Sequence, residues 1–310
     1  MAKMSQNVKE IAQVVLFVVV VVGLILVFVT YPLTRTKAYL ARPDIATYHK
    51  GSTRANDVSA FLPLNAAIDT FRVDADGLTD LACIYLAPRL APDTLGRPMP
   101  VRGTAILLHA DGVDRTSMIP LAKALLDSGW AVCVYDQRAS GISTAAYRSD
   151  GEYEGADLNE VLAYLRIRDR IRRPLVAVGR QAGADAVLLV AADEEHFDAV
   201  VAVQPYITSD RWLSVLMKEH GMFWIPFPQT LFKFWYELRS GYAPQYRDLE
   251  SIKPPLGHIL ILDTSENLAD PTMTAYLQQT GGGKIESAPL PPDEPALIET
   301  IVRFLLASRT

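Results

Sequence analysis

The sequence is poor in cysteine and histidine and carries no excess of positive charge: it has two cysteines and five histidines in 310 residues and a formal net charge of −5. Cys83 and Cys133 each lie inside an apolar run, where a free cysteine usually behaves as a small buried hydrophobe. A disulfide between them is possible but unsupported by this pattern, so the redox compartment stays open. The negative net charge argues against a surface that neutralises nucleic-acid phosphates. The chain has no metal-ligand spacing and no G-x-x-x-x-G-K-[ST] phosphate loop. We therefore expect no nucleic-acid partner, no metal and no cofactor.

One long hydrophobic run lies near the N-terminus. From Val14 to Val29 no side chain is charged or polar, and residues 11–33 supply about the 20 residues that a helix needs to cross the hydrocarbon of a bilayer. A cleaved signal peptide would have a shorter apolar region that ends at small residues, whereas this run continues into Tyr31 and Pro32. The sequence predicts an uncleaved, single-pass membrane anchor. The basic residues on its two flanks leave the side of the main domain undecided.

The remainder of the chain has the composition of one ordinary globular domain. We predict an N-terminal flank (1–10), a transmembrane helix (11–33), a polar juxtamembrane linker (34–60) and a single α/β domain (61–310). Within that domain, residues 206–246 are unusually aromatic and interrupt the regular alternation, which predicts a cap insertion. Its aromatic residues are expected either to pack a small helical lid or to contact lipid or a membrane protein.

Short apolar runs alternate with helical stretches after Pro100, as is typical of a parallel sheet with crossover helices. Before them, Ala67–Pro88 contains two strand-like runs around an Asp-Ala-Asp-Gly turn, which predicts a hairpin. The strands predicted after it are 104–109, 131–136, 175–179, 199–203, 258–263 and 284–288, and the helices are 119–127, 155–167, 183–192, 272–279 and 295–308.

The segment from Ala105 to Ser143 resembles the α/β-hydrolase superfamily, in particular its lysophospholipase or serine aminopeptidase branch. It has the order of strand, HG-like loop, helix, strand and D-x-R turn that is typical of the family. The resemblance covers roughly Phe71 to Leu306 and implies the α/β-hydrolase fold, a mostly parallel sheet with a short cap. It also implies that a serine nucleophile belongs on a sharp turn after the fifth strand.

The residues at the family's catalytic positions differ from those that hydrolysis needs. Gly179 and Gly183 match the elbow glycines, but Gln181 stands at the nucleophile position, and a carboxamide cannot form an acyl-enzyme. No histidine follows His258, so the general base is missing from its usual place after the last strand. In the loop after the strand 258–263, Asn267 stands near the position at which the family has its catalytic aspartate. The acidic residues of this loop are Glu266 and Asp270.

The oxyanion loop also departs from the family pattern, because Ala110 replaces a glycine and Asp111 brings negative charge. We expect Asp136 and Arg138 to organise their loop, and Arg180 to bind an anion, to face solvent or to pair with a carboxylate at the rim. Loop serines near the site, Ser117, Ser140 and Ser143, lack a neighbouring base. The predicted remnant of the pocket is formed by His109, Ala110, Asp111, Arg180, Gln181 and Ala182.

These features predict a catalytically inactive, membrane-anchored protein that serves as an accessory or scaffolding subunit of a membrane complex. Its expected partners are the lipid bilayer and other membrane proteins. One alternative is a pseudoenzyme that binds a small molecule in the former pocket. The other is an active serine-type hydrolase, such as an esterase, lipase or peptidase, with a non-standard active site.

Overall fold

The structure, a computed structural model, describes residues 6–38, 58–92, 94–97, 99–145, 148–149, 151–193, 197–219, 234, 237–238, 257–279 and 285–308. Helix α1 runs over Gln6–Ala38 and includes the whole predicted span of 11–33. A search of the residues that the structure describes finds no helix that is both long enough and apolar enough to cross a membrane. The transmembrane span therefore stays a prediction. Most of the linker predicted for 34–60 lies outside the described residues.

The globular part is built on an eight-stranded sheet of order β1-β2-β4-β3-β5-β6-β7-β8. Strands β1 and β2 form the predicted antiparallel hairpin, β2 pairs antiparallel with β4, and the strands from β4 to β8 run parallel. The bounds are β1 Ala66–Asp74, β2 Asp80–Pro88, β3 Thr104–Leu108, β4 Ala131–Tyr135, β5 Leu175–Arg180, β6 Ala199–Val203, β7 His258–Asp263 and β8 Ile285–Pro289.

Helices cover both faces of this sheet, and each face has its own cluster of buried apolar residues. The central strands β3, β4 and β6 are buried along their whole length, which explains why they are continuous apolar runs in the sequence. The helices after α1 are α2 Ile119–Asp127, α3 Glu152–Ile167, α4 Ala182–Asp193, α5 Ser209–Glu219, α6 Ser265–Leu268, α7 Pro271–Gln279 and α8 Glu294–Ala307.

The predicted fold class is confirmed, namely an α/β-hydrolase fold with a mostly parallel sheet. Because β3 to β8 run in one direction, their carboxyl ends meet at one edge of the sheet, where open α/β sheets bind ligands. Gln181, immediately after β5, lies at this edge. His258 begins β7 and therefore lies at the opposite edge.

Of the predicted cap, only residues 206–219, 234, 237 and 238 lie within the described part of the chain. Helix α5 follows β6, and its Trp212 is buried, whereas Phe234 is exposed. The other aromatic residues from which the cap was predicted, 223, 224, 227, 232 and 235, lie outside the described residues. The extent of the cap over 206–246 therefore stays a prediction.

Candidate active site

The turn between β5 and α4 places Gln181 at the carboxyl edge of the sheet in a strained conformation. Its φ of 52° is in the left-handed region that residues with a Cβ rarely adopt. The Gln181 N–H donates to the Val203 carbonyl at 2.9 Å, and its carbonyl accepts from the amides of Ala184 and Asp185. The turn is thus fixed both to β6 and to the first turn of α4, as a nucleophile elbow requires.

Both glycines of the elbow are required by close backbone contacts. A Cβ on Gly179 would lie 2.1 Å from the Gly183 carbonyl oxygen. A Cβ on Gly183 would lie 2.8 Å from the His109 carbonyl oxygen and 2.9 Å from the Leu108 Cβ. Ala182, the first residue of α4, is buried. The sharp strand-to-helix turn is therefore kept although its central residue is not a nucleophile.

The side chain of Gln181 is bonded to the loop that follows β3. The Asp111 N–H donates to Gln181 Oε1 at 3.1 Å. In the α/β-hydrolase arrangement, an amide of this loop and the amide after the nucleophile would together stabilise a developing oxyanion. In this chain, the Gln181 Oε1 accepts the hydrogen bond of that loop amide, the Asp111 N–H.

The carboxylate of Asp111 is held by two partners that lie far away in the sequence. Arg148 Nη2 lies 2.5 Å from Asp111 Oδ1, and the Tyr206 hydroxyl donates to Asp111 Oδ2 at 3.2 Å. The Arg148 side chain is buried, so its charge offsets that of Asp111 in a site with little solvent. Asp111 thereby ties the loop after β3 to the start of the cap.

His109 is fully buried and joins the loop after β3 to the loop after β4. Its Nε2 accepts the Gln137 N–H at 3.0 Å, so the proton is on Nδ1, which lies 2.8 Å from the Ala110 carbonyl oxygen. Burial lowers the pKa of His109 from 6.5 to about 4, which keeps the ring neutral at physiological pH. Both ring nitrogens are engaged, so His109 is not available as a general base.

Arg180 forms a bidentate ion pair with Glu294 at the edge of the site. Its Nη2 and Nη1 lie 2.5 and 3.2 Å from the carboxylate oxygens of Glu294, the first residue of α8. Arg180 was expected to bind an anion, to face solvent or to pair with a carboxylate, and the structure shows the pairing with a carboxylate. This ion pair joins the elbow to the segment after β8, in which a catalytic histidine would be expected.

Three polar residues at the end of β7 and shortly after it, Asp263, Asn267 and Asp270, are used in local structure. Buried Asp263 pairs with Arg211 of α5 at 2.9 Å, and Asn267 Nδ2 donates to Asp263 Oδ1 at 2.9 Å. Asp270 accepts the Thr272 N–H at 2.8 Å at the start of α7. Asn267 thus supports an aspartate one helical turn before it.

Asp136 and Arg138 organise their loop, as their pattern predicts. Asp136 accepts the amides of Arg115 and Ile142 at 2.9 and 3.0 Å, and Arg138 makes two bonds to Asp157, at 2.8 and 2.6 Å. A Cβ on Gly141, which has φ +51°, would lie 2.2 Å from the Asp136 carboxylate, so this turn needs glycine. The loop serines bond to backbone carbonyls: Ser117 to Asp114, Ser140 to Arg138 and Ser143 to Asp136.

Sequence reasoning missed several residues that complete this region. Asp185 of α4 accepts the amides of Tyr206 and Ile207 at 3.1 and 2.8 Å, and it holds Ile207 at a φ of 69°, which is rare for a β-branched residue. Arg148 and Arg211 were also missed. No local pattern marks these residues, since each partner lies in a separate loop or helix.

No family model matches the chain. The uncharacterized protein YqkD of Bacillus subtilis is 27% identical over 167 residues, which cover 53% of this chain. The chain spans about half the length of this curated relative, 51% of it.

Several solved structures of hydrolases have a similar fold. An esterase of Pyrococcus furiosus aligns with a TM-score of 0.57 at 17% identity, covering 79% of this chain and 89% of the esterase. The 2,6-dihydroxy-pseudo-oxynicotine hydrolase aligns with a TM-score of 0.58 at 16% identity, covering 85% of this chain and 70% of the hydrolase. Est1E of Butyrivibrio proteoclasticus, solved with ferulic acid bound, aligns at 0.55 and 14% identity, covering 77% and 98%. At these identities the likeness concerns the fold alone, and the chain thus has the α/β-hydrolase fold.

Proposed function

We propose that this chain is a membrane-anchored, catalytically inactive α/β-hydrolase-fold protein that serves as an accessory or scaffolding subunit of a membrane complex. The observation that carries the proposal is the state of Gln181. It occupies the nucleophile position on a strained elbow, and its Oε1 accepts the Asp111 N–H. A carboxamide in that place offers no attacking group, and its Oε1 accepts the Asp111 N–H, which is therefore not open to an oxyanion.

The other parts of a hydrolytic site support the same proposal. No histidine follows β8, and the Arg180–Glu294 ion pair joins the elbow to the segment in which the base would be expected. Asp263, Asn267 and Asp270 bond to neighbouring structure. A nucleophile, a base and an orienting acid act as one unit, so restoring one member alone does not restore hydrolysis. The lysophospholipase or serine aminopeptidase branch remains our prediction for its ancestry.

The membrane anchor is part of the proposal and rests mainly on the sequence. Residues 14–29 carry no polar or charged side chain, and the predicted span 11–33 lies within the continuous helix Gln6–Ala38. The side chains of Phe17 and Phe28 in this helix are largely exposed. An exposed apolar surface of this size needs a partner that shields it from water. Lipid hydrocarbon can shield it, because the backbone N–H and C=O groups of a helix are already hydrogen-bonded to one another.

An ester-hydrolysis assay tests the inactivity directly. The purified full-length chain and the Gln181→Ser variant are compared on short-chain and long-chain p-nitrophenyl esters. We expect neither protein to exceed the background rate, because serine alone lacks a base. Turnover by the unmodified chain would refute the proposal, and turnover gained by Gln181→Ser alone would show that a base and acid are still in place.

Gentle detergent extraction from the native membrane, followed by mass spectrometry of the co-migrating proteins, tests the accessory role. We expect a reproducible set of membrane proteins that survives a second, orthogonal purification step. Migration as a lone chain in every detergent tried would contradict this part of the proposal.

A further inference from the structure

A strongly basic segment joins α3 to β5. Residues 166–174 read RIRDRIRRP and contain five arginines and one aspartate, although the chain as a whole has a net charge of −5. The segment lies at the amino edge of the parallel strands, opposite the candidate active site, because α3 ends and β5 begins there.

Hydrogen bonds to the carbonyl groups of this segment hold the neighbouring connections beside it. The Thr104 N–H donates to the Arg172 carbonyl at 2.9 Å, and the Tyr85 hydroxyl donates to the Arg170 carbonyl at 3.0 Å. The connection from β2 to β3 therefore lies beside the basic segment. That connection adds three exposed arginines: Arg89, Arg97 and Arg102.

Large apolar side chains at the same edge are exposed among these arginines. Ile167 is 83% exposed, Leu95 74%, Leu62 67% and Met99 50%. We call the surface formed by these four residues and the eight arginines at positions 89, 97, 102, 166, 168, 170, 172 and 173 the basic edge. Interleaved arginine and exposed aliphatic side chains are what a protein surface presents to the interface of an anionic bilayer.

The polypeptide that leads into β1 also enters the sheet at the basic edge. Asn65, just before β1, exchanges two hydrogen bonds with Arg89: the Arg89 N–H donates to the Asn65 carbonyl at 3.0 Å, and Asn65 Nδ2 donates to the Arg89 carbonyl at 3.1 Å. The chain that arrives from helix α1 therefore reaches the sheet at this edge. An anchored domain would turn this edge, and not the Gln181 edge, toward the bilayer.

Arg170, Arg172 and Arg173 form ion pairs with aspartates, and these ion pairs are exposed. Arg170–Asp69, Arg172–Asp169 and Arg173–Asp198 have distances of 2.8, 2.9 and 2.9 Å, and every partner is more than a third exposed. Ion pairs of this kind contribute little to stability, so a phosphate can replace the aspartate without disturbing the fold.

We propose that the basic edge lies on the bilayer surface and binds the headgroups of anionic phospholipids. The proposal rests on the membrane anchoring proposed above and adds the surface and the lipid class. The exposed aliphatic residues favour a bilayer over a nucleic acid, because a phosphate backbone alone would need only the arginines. Ile167 and Leu95 would enter the headgroup region while the arginines contact the phosphates.

An environment-sensitive fluorophore at position 167 tests this proposal on the full-length chain. Ile167→Cys is labelled with a nitrobenzoxadiazole dye, because Cys83 and Cys133 are fully buried and so protected from reagents. The labelled chain is placed in nanodiscs of phosphatidylcholine alone or with phosphatidylglycerol. Leu78→Cys, at the exposed turn of the β1–β2 hairpin on the opposite edge, is the matched control.

We expect the label at 167 to gain intensity and shift to the blue in the phosphatidylglycerol nanodiscs only. The gain should disappear in about 1 M salt, where the Debye length falls to about 3 Å. It should also disappear in the Arg168→Glu/Arg172→Glu variant. The label at 78 should not respond. An unchanged label at 167, or an equal response in both nanodiscs, would overturn the proposal.

Alkaline carbonate extraction of the same chain from native membranes separates this outcome from the anchor. Resistance to carbonate together with a silent label at 167 would refute the basic edge and leave the anchor standing. Extraction by carbonate together with a responsive label would refute the anchor and show that the basic edge binds lipid by itself.

Discussion

The backbone of Gln181 is in the left-handed region, with a φ of 52°, which residues with a Cβ disfavour. The side chain of the same residue accepts the Asp111 N–H. A left-handed residue with a Cβ costs about 1–2 kcal/mol relative to the right-handed region. The retained strain shows that the elbow is set by the packing of β5, α4 and β3 and not by the chemistry of residue 181. The sequence allowed this geometry to be predicted, because both glycines are visible in it.

Two substitutions at position 181 separate the strain from the hydrogen bond. Gln181→Gly and Gln181→Ala both remove the carboxamide, but only alanine keeps a Cβ in the left-handed region. We expect Gln181→Gly to be more stable than Gln181→Ala by about 1 kcal/mol in thermal unfolding followed by circular dichroism. At a position without strain, alanine would be the more stable of the two, because glycine gains more entropy on unfolding.

His109 makes the stability of the domain depend on pH. Its folded pKa of about 4 lies below the unfolded value of 6.5, so the unfolded chain binds more protons between these values. Stability contributed by the neutral ring is full above pH 6.5 and is lost as the pH falls toward 4, by up to about 3 kcal/mol. Urea unfolding at several pH values measures this loss, and the pH dependence should flatten in His109→Asn. Equal slopes for both proteins would contradict the assignment.

At the scale of elements, strands and helices were predictable because each buried strand is a short apolar run bounded by turn residues. Predicted β6 and β7 agree with the structure in both bounds, and α3 begins three residues earlier than expected because Glu154 bonds back to the amides of Ser149 and Gly151. Ion pairs between elements, such as Arg211–Asp263, were not predictable. Their partners are 52 residues apart, and neither stands in a motif.

The pair Arg211–Asp263 should be a main attachment of helix α5 to the sheet. Both side chains are buried, and removing one partner of a buried pair leaves an uncompensated charge. We expect Asp263→Asn to destabilise the domain by about 3 kcal/mol or more. The matched control is Asp69→Asn, which breaks the exposed pair with Arg170 and should cost no more than about 0.5 kcal/mol. Similar losses for both variants in urea unfolding would show that α5 is held by other contacts.

At the scale of the whole molecule, the sheet has two edges with different surfaces. The carboxyl edge carries the Gln181 elbow, whose polar groups are bonded to one another, and the amino edge carries exposed arginines and aliphatic side chains. The basic run at 166–174 can be read from the sequence, but its position beside the connection from β2 to β3 cannot. Only the topology shows that connections far apart in the chain meet at one edge.

The central claim is that this hydrolase fold has no reactive nucleophile at its elbow, and intact-protein mass spectrometry after treatment with a fluorophosphonate tests it most directly. The folded full-length chain is incubated with the reagent, and an active serine hydrolase is treated in parallel. We predict no increase in mass for this chain and a stoichiometric adduct for the control. A stoichiometric adduct that disappears when one particular hydroxyl is mutated would contradict the account and identify a rebuilt catalytic site.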